Sequence, residues 1–133
     1  MMFVTKGNIT TPAPSRSTKN SAGYDLYSSI DIKLFKGARV LIGTGWGWTD
    51  IPDGVYGQIK SRSGMAVKGL DAQAGVIDGD YFGEFKVLVS YSGDRPLEIK
   101  RGDRIAQLII KKYLTLGEHV EAERVGGFGS TGE

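Results

Sequence analysis

The sequence predicts an all-β domain of the sandwich or jelly-roll kind carrying one short helix, and three observations lead there. Glycine is the first: 20 in 133 residues is about twice the usual ~7% share, and they fall between short apolar stretches, not in one block. That is punctuation for many short strands. Alternation is the second, with period-two apolar patterning in I-D-I-K-L at 30–34, F-K-V-L-V at 85–89 and L-E-I-K at 97–100. These read as half-buried strands. Turn chemistry is the third, recurring as F-K-G at 35–37, I-P-D-G at 51–54, S-G-D-R-P at 92–96 and K-R-G-D at 100–103.

The remaining segments fall between these. Residues 1–21 form a lead-in that is irregular over 10–20, where two of the four prolines and many Ser and Thr lie. The G-M-A-V-K stretch at 64–68 is helical in character and about one turn long. Trp46 and Trp48, between glycines, read as buried or interface packing, and His119, in a polar G-E-H run, reads as surface. Residues 124–133 form a Gly-rich arm around a single Phe and read as flexible. A length of 133 residues suits one domain over 1–133, large enough to bury roughly 65–70% of its unfolded surface.

Composition narrows the chemistry. The 17 Lys+Arg and 15 Asp+Glu nearly cancel and are spread along the chain, so no basic block points to a nucleic acid polymer as partner. The absence of Cys removes disulfides, zinc knuckles and thiol nucleophiles together. No apolar stretch is long enough for a signal peptide or a membrane span, so a soluble intracellular protein with no membrane partner is expected. Catalysis then falls to carboxylates, hydroxyls, Arg, Lys and backbone.

Five segments carry such groups, and each alone has a plainer reading. A-G-Y-D-L at 22–26 also reads as a strand start whose Asp caps a turn. R-S-G at 62–64 opens the helical turn with a guanidinium, a hydroxyl and backbone N–H groups, which is what a polyphosphate needs, yet a Ser N-cap near an Arg is common. G-V-I-D-G-D-Y-F-G at 75–83 presents Asp78 in a glycine-flanked turn where it can face a water, or is simply a solvated Asp-Gly turn. In R-G-D-R-I-A-Q-L at 101–108 the amide of Gln107 sits in an apolar strand and must find a partner, or it costs about 1–3 kcal/mol. G-G-F-G-S-T-G at 126–132 is either a phosphate-cradling loop or a linker.

Their order decides more than any one of them. Together with P-x-G-x-Y-G-x4-R-S-G from 52, these segments resemble, in sequence, the five ordered motifs of the trimeric dUTPase family, over residues 22–132. The resemblance implies a β jelly roll assembled as a homotrimer with sites shared between subunits. It implies Mg2+-dependent hydrolysis of dUTP to dUMP and pyrophosphate, which limits uracil incorporation into DNA and supplies dUMP. Asp78 matches the general base that activates a water for attack on the α-phosphorus. Arg62, Ser63, Gly64, Gln107, Arg124, Gly129 and Ser130 match phosphate contacts, and Asp25 matches the carboxylate that holds magnesium through its water shell.

On the nucleoside side, the resemblance implies that main chain over 72–77, with Ala72, Gly75, Val76 and Ile77, reads uracil and leaves no room for a 5-methyl group. Tyr81 matches the aromatic under deoxyribose that excludes a ribose 2′-OH, Phe128 the tail aromatic stacked on uracil, and Lys86 a further nucleoside contact. Two departures stand out. One residue is missing between Arg124 and Phe128, and T-G-W-G-W-T-D-I-P at 44–52 is one residue longer than usual, which suggests a bulge. Rival readings are an idle dUTPase fold that regulates another protein, and the related dCTP deaminases, which need a glutamate acid/base near the nucleobase. The context of Asp78 and the G-G-F-G-S-T-G tail fit dUTPase better.

Overall fold

A computed structural model describes residues 1–8 and 10–117. Eleven strands and one helix run in the order β1 (Met2–Thr5), β2 (Gly23–Tyr27), β3 (Ile32–Leu34), β4 (Arg39–Gly43), β5 (Trp46–Thr49), β6 (Val55–Lys60), α1 (Ser63–Val67), β7 (Leu70–Gln73), β8 (Val76–Ile77), β9 (Lys86–Tyr91), β10 (Leu97–Ile99) and β11 (Arg104–Lys112). A four-stranded sheet ordered β2-β11-β6-β8 and a three-stranded sheet ordered β4-β9-β7 supply most of the core, flanked by the antiparallel pairs β1-β5 and β10-β3. This is the predicted jelly-roll-like architecture with its single short helix among the described residues.

Alternation explains which face each strand buries. In β9, Val87, Val89 and Tyr91 are buried while Lys86, Leu88 and Ser90 face outward, as a half-buried strand requires. Leu26, Ile59, Ile77 and Leu108 of the first sheet meet Ile42, Leu70, Val87 and Val89 of the second in one core cluster. Phe85, fully buried, is its aromatic centre: Trp48 and Phe3 approach it edge-on at centroid distances of 5.5 and 6.2 Å. Burial of such rings dominates core energetics, at about 1.5–3 kcal/mol for a large apolar side chain. Gly57 makes room for the Trp48 ring, whose edge would lie 2.8 Å from any Cβ placed there.

Part of the lead-in belongs to this core. Met2–Thr5 is a strand in register with Thr49 to Trp46, which places Phe3 against Phe85 and Tyr24. Farther on, the irregular chain is pinned by Thr11, whose hydroxyl donates to the Thr44 carbonyl and whose carbonyl accepts from Trp46 Nε1 at 3.1 Å. Asp25 N–H donates to the Ser15 carbonyl at 2.7 Å. The two tryptophans are packing residues, Trp48 only 2% exposed and Trp46 half-buried. The bulge expected at 44–52 is not found: Trp46 to Thr49 pair with β1 without a register shift, and the chain turns instead at Asp50, which adopts φ 57°. The register shift lies in β11, between Arg104 and Ala106.

Candidate active site

Strand β6 organises the candidate site, because groups of opposite character gather at its two ends. At its C-terminal end Lys60 is in register with Gln107 of β11, and Gln107 with Asp25 of β2. Gln107 finds the partner its burial demanded, donating from Nε2 to the Ser61 carbonyl at 3.0 Å. Gly23, two residues before Asp25 on β2, has no side chain, and a Cβ there would collide with the Gln107 amide oxygen. Asp25, only 9% exposed, receives Arg62 Nε on Oδ1 at 3.5 Å and Arg104 Nη1 on Oδ2 at 3.7 Å. The pairing of β2, β11 and β6 thus brings a carboxylate, two guanidinium groups and an amide to one place.

The turn that follows continues this end. Arg62 occupies the N-cap position of α1, so Ser63 is the first helical residue and not the cap, and no side chain caps the helix. Ser63 and Gly64 are exposed. A Cβ at Gly64 would meet nothing within 4 Å among the described residues, and its φ is ordinary, so the described fold does not require glycine there.

At the other end of β6 stands Asp78. Ile77 is paired with Gly57, so Asp78 lies beside Tyr56, four residues back along β6 from Lys60, or about 13 Å at the usual strand rise. Asp78 is exposed in a turn closed by Tyr81 N–H donating to its carbonyl at 3.1 Å. With Gly79 and Asp80 it borders an open cleft of about 830 Å³ whose other walls are residues 51–55, Tyr113 and 115–117. Tyr81 is half-buried and donates its hydroxyl to the Glu84 carbonyl at 2.6 Å.

Residues 72–77 run from β7 to β8 past the same strand. Ala72 N–H donates to Ser61 Oγ at 2.9 Å, and the Gly75 carbonyl accepts from Ile59 N–H at 2.7 Å, so two of the main-chain groups expected to read a base are held by the protein itself. Gly75 has to be glycine, with φ 74° and space for a Cβ only 2.5 Å from the Ile59 carbonyl oxygen. β8 is the edge of its sheet, which leaves one side of its backbone without a neighbouring strand among the described residues, and Val76 is exposed. Lys86 opens β9, exposed, in register with Gly43. Arg124, Phe128, Gly129, Ser130 and His119 lie outside the described residues.

The dUTPase family model matches residues 10–132 of this chain. The chain belongs to the dUTPase family. The deoxyuridine 5'-triphosphate nucleotidohydrolase of Candida glabrata is 42% identical over 129 residues, covering 91% of this chain and 89% of the relative. That of avian adenovirus 8 is 46% identical over 126 residues, covering 90% of this chain and 77% of the viral protein. Among solved structures, the dUTPase of Streptococcus mutans superposes with a TM-score of 0.80 at 28% identity, over 87% of this chain and 98% of the other. Native EIAV dUTPase gives 0.75 at 26% identity, over 93% and 99%.

Arg104, Ser61 and Glu84 are the site-region residues that sequence reasoning did not single out. Arg104 lay within a motif but carries a partner, Asp25, 79 positions away, and Ser61 touches Ala72 and Gln107 through a fold that only the strand pairing reveals. Asp25 is the carboxylate matched to magnesium. Among the described residues no three His, Cys, Asp or Glu side chains gather into a metal cage. One carboxylate with an amide in the adjacent strand suits an ion that keeps most of its waters and takes other ligands from substrate phosphates, as Mg2+ does.

Proposed function

We propose that this dUTPase hydrolyses dUTP to dUMP and pyrophosphate, with Asp78 as the general base, and that it works as a homotrimer whose sites combine the two ends of β6 from different subunits. The observation that carries this reading is the separation itself: Asp78 stands about 13 Å along β6 from the register position of Gln107, while a base for attack on the α-phosphorus must lie within a water of the phosphate contacts. A second copy supplies the missing half.

In this reading Asp78 takes a proton from a water whose oxygen attacks the α-phosphorus as the bond to the bridging oxygen of pyrophosphate breaks. No covalent intermediate on the protein is needed. Arg62 and the backbone N–H groups and hydroxyl at Ser63 and Gly64 neutralise charge on the phosphates, which is where most of the rate in phosphoryl transfer arises. The open space at Gly64 favours this, since a backbone that nothing among the described residues approaches is one that a ligand can. Mg2+ would supply further neutralisation of phosphate charge, and Asp25 and Gln107 are the residues that would hold its water shell. Arg62 and Arg104 keep the Asp25 carboxylate aimed.

Uracil is read by the edge of β8 and the turn before it, with Gly75 letting the backbone fold tightly enough to exclude a 5-methyl group. Tyr81 packs beneath deoxyribose, Lys86 adds a nucleoside contact, Phe128 stacks on the base, and Gly129, Ser130 and Arg124 close on the phosphates. The test is pyrophosphate release from dUTP, dCTP, dTTP and UTP in parallel, with and without Mg2+. Release from dUTP alone, dependent on Mg2+, is expected; equal release from dCTP or UTP would contradict the reading.

A further inference from the structure

Tyr81 is held by a short relay that ends in a carboxylate. Its hydroxyl donates to the Glu84 carbonyl at 2.6 Å, and Oε2 of the same Glu84 accepts the Gly45 N–H at 2.7 Å. Two glycines make room for it: a Cβ at Gly83 would lie 2.6 Å from the Tyr81 hydroxyl, and one at Gly43 would lie 2.5 Å from Glu84 Oε2. The next residue does not need this help. Phe85 is fixed to the same link between β4 and β5 by its own backbone, its N–H donating to the Trp46 carbonyl at 2.7 Å and its carbonyl accepting from Thr44 Oγ1 at 2.8 Å, and its ring is fully buried. What the Glu84 side chain adds lies upstream. It fixes the peptide whose carbonyl seats the Tyr81 ring.

We propose that Glu84 is a positioning residue for sugar discrimination: its carboxylate, tied to Gly45, sets the tilt of Tyr81 and so the depth of the space beneath the sugar. The proposal rests on the reading of Tyr81 as the aromatic under deoxyribose. A half-buried carboxylate accepting from a backbone N–H is a charge-assisted bond, stronger than a neutral one, and suited to hold a short loop still. Without it the loop 82–84 loses the side-chain tie between its backbone anchors, Tyr81 N–H on the Asp78 carbonyl and Phe85 N–H on the Trp46 carbonyl, and the ring can tilt away to admit a 2′-OH.

The experiment measures kcat/KM for dUTP and for UTP with wild type, Glu84→Ala, Glu84→Gln, Tyr81→Phe and Tyr81→Ala. The ratio of the two constants is the readout, because loss of folded or active protein lowers both alike and leaves the ratio unmoved. Glu84→Ala is expected to narrow the ratio by roughly three- to tenfold, the scale of one lost hydrogen bond acting on one substrate group. Glu84→Gln, whose amide oxygen still accepts from Gly45, is expected to retain the wild-type ratio within about twofold. Tyr81→Phe, which keeps the ring and removes its bond to the Glu84 carbonyl, is expected to narrow it in the direction of Glu84→Ala. A wild-type ratio in Glu84→Ala overturns the proposal. If that variant yields no folded protein, a wild-type ratio in Tyr81→Phe overturns it equally. Tyr81→Ala separates the two layers: an unmoved ratio there removes Tyr81 from sugar discrimination, whereas a moved ratio there with an unmoved one in Glu84→Ala removes Glu84 alone.

Discussion

The two ends of β6 differ in how far the chain completes them by itself. At the C-terminal end, side chains from β2, β11 and the turn into α1 brace one another: Arg62 and Arg104 flank Asp25, and Gln107 reaches the Ser61 carbonyl. At the other end, Asp78 faces an open cleft whose walls at 51–55, Tyr113 and 115–117 include Leu116, 98% exposed. Preorganised charge stabilisation belongs on a rigid, braced frame, whereas a general base needs access to water and substrate. On the proposed reading, one end holds a polyanion and the other is approached by it.

Asp78→Asn breaks the open end and has the largest expected effect. It should lower kcat by roughly 10²–10⁴ while leaving dUTP binding, measured by calorimetry, close to wild type. A kcat within a few-fold of wild type would remove Asp78 as the base. Asp25→Ala breaks the braced end. A carboxylate that acts on a metal through its waters is worth about 10- to 100-fold in affinity or activity, so titration with Mg2+ should show a higher half-saturating concentration and a lower kcat/KM. An unchanged Mg2+ dependence would move the ion elsewhere.

Two glycines sharpen the comparison at smaller scale. Gly75→Ala places a side chain at φ 74° and against the Ile59 carbonyl, and should destabilise the fold by about 2 kcal/mol, seen as a lower Tm. Gly64→Ala meets nothing among the described residues, so stability should stay within about 0.5 kcal/mol of wild type while kcat/KM falls roughly tenfold from crowding of the phosphates. A Gly64→Ala protein of full activity would show that nothing approaches that backbone.

Much of this was legible in the sequence, and the gaps have physical reasons. Strands with clean alternation, such as Lys86–Tyr91, and the single helical turn were readable because their periodicity is local. Met2–Thr5 is not legible: four residues with no turn signal before them look like a tail until β5 is there to pair with. Gln107 was readable as a side chain in need of a partner, but not which partner, since Ser61 is 46 residues away and is brought close by the β6–β11 register. Arg104 and Glu84 look like ordinary surface charges beside glycine turns, and only the hydrogen bonds and ion pairs of the folded chain give them a place. The bulge expected at 44–52 gave way to a left-handed Asp50, which a short polar side chain tolerates.

The claim that each site joins opposite ends of β6 from two subunits is tested most directly by complementation. Arg62→Ala chains keep the Asp78 end intact, and Asp78→Asn chains keep the braced end intact. Each alone should be nearly inactive. Unfolded together in equal amounts and refolded so that subunits reassort, they should regain about a quarter of wild-type pyrophosphate release, since one site in four then pairs two intact halves. Reassorted assemblies no more active than either parent would show that each site is built within a single chain.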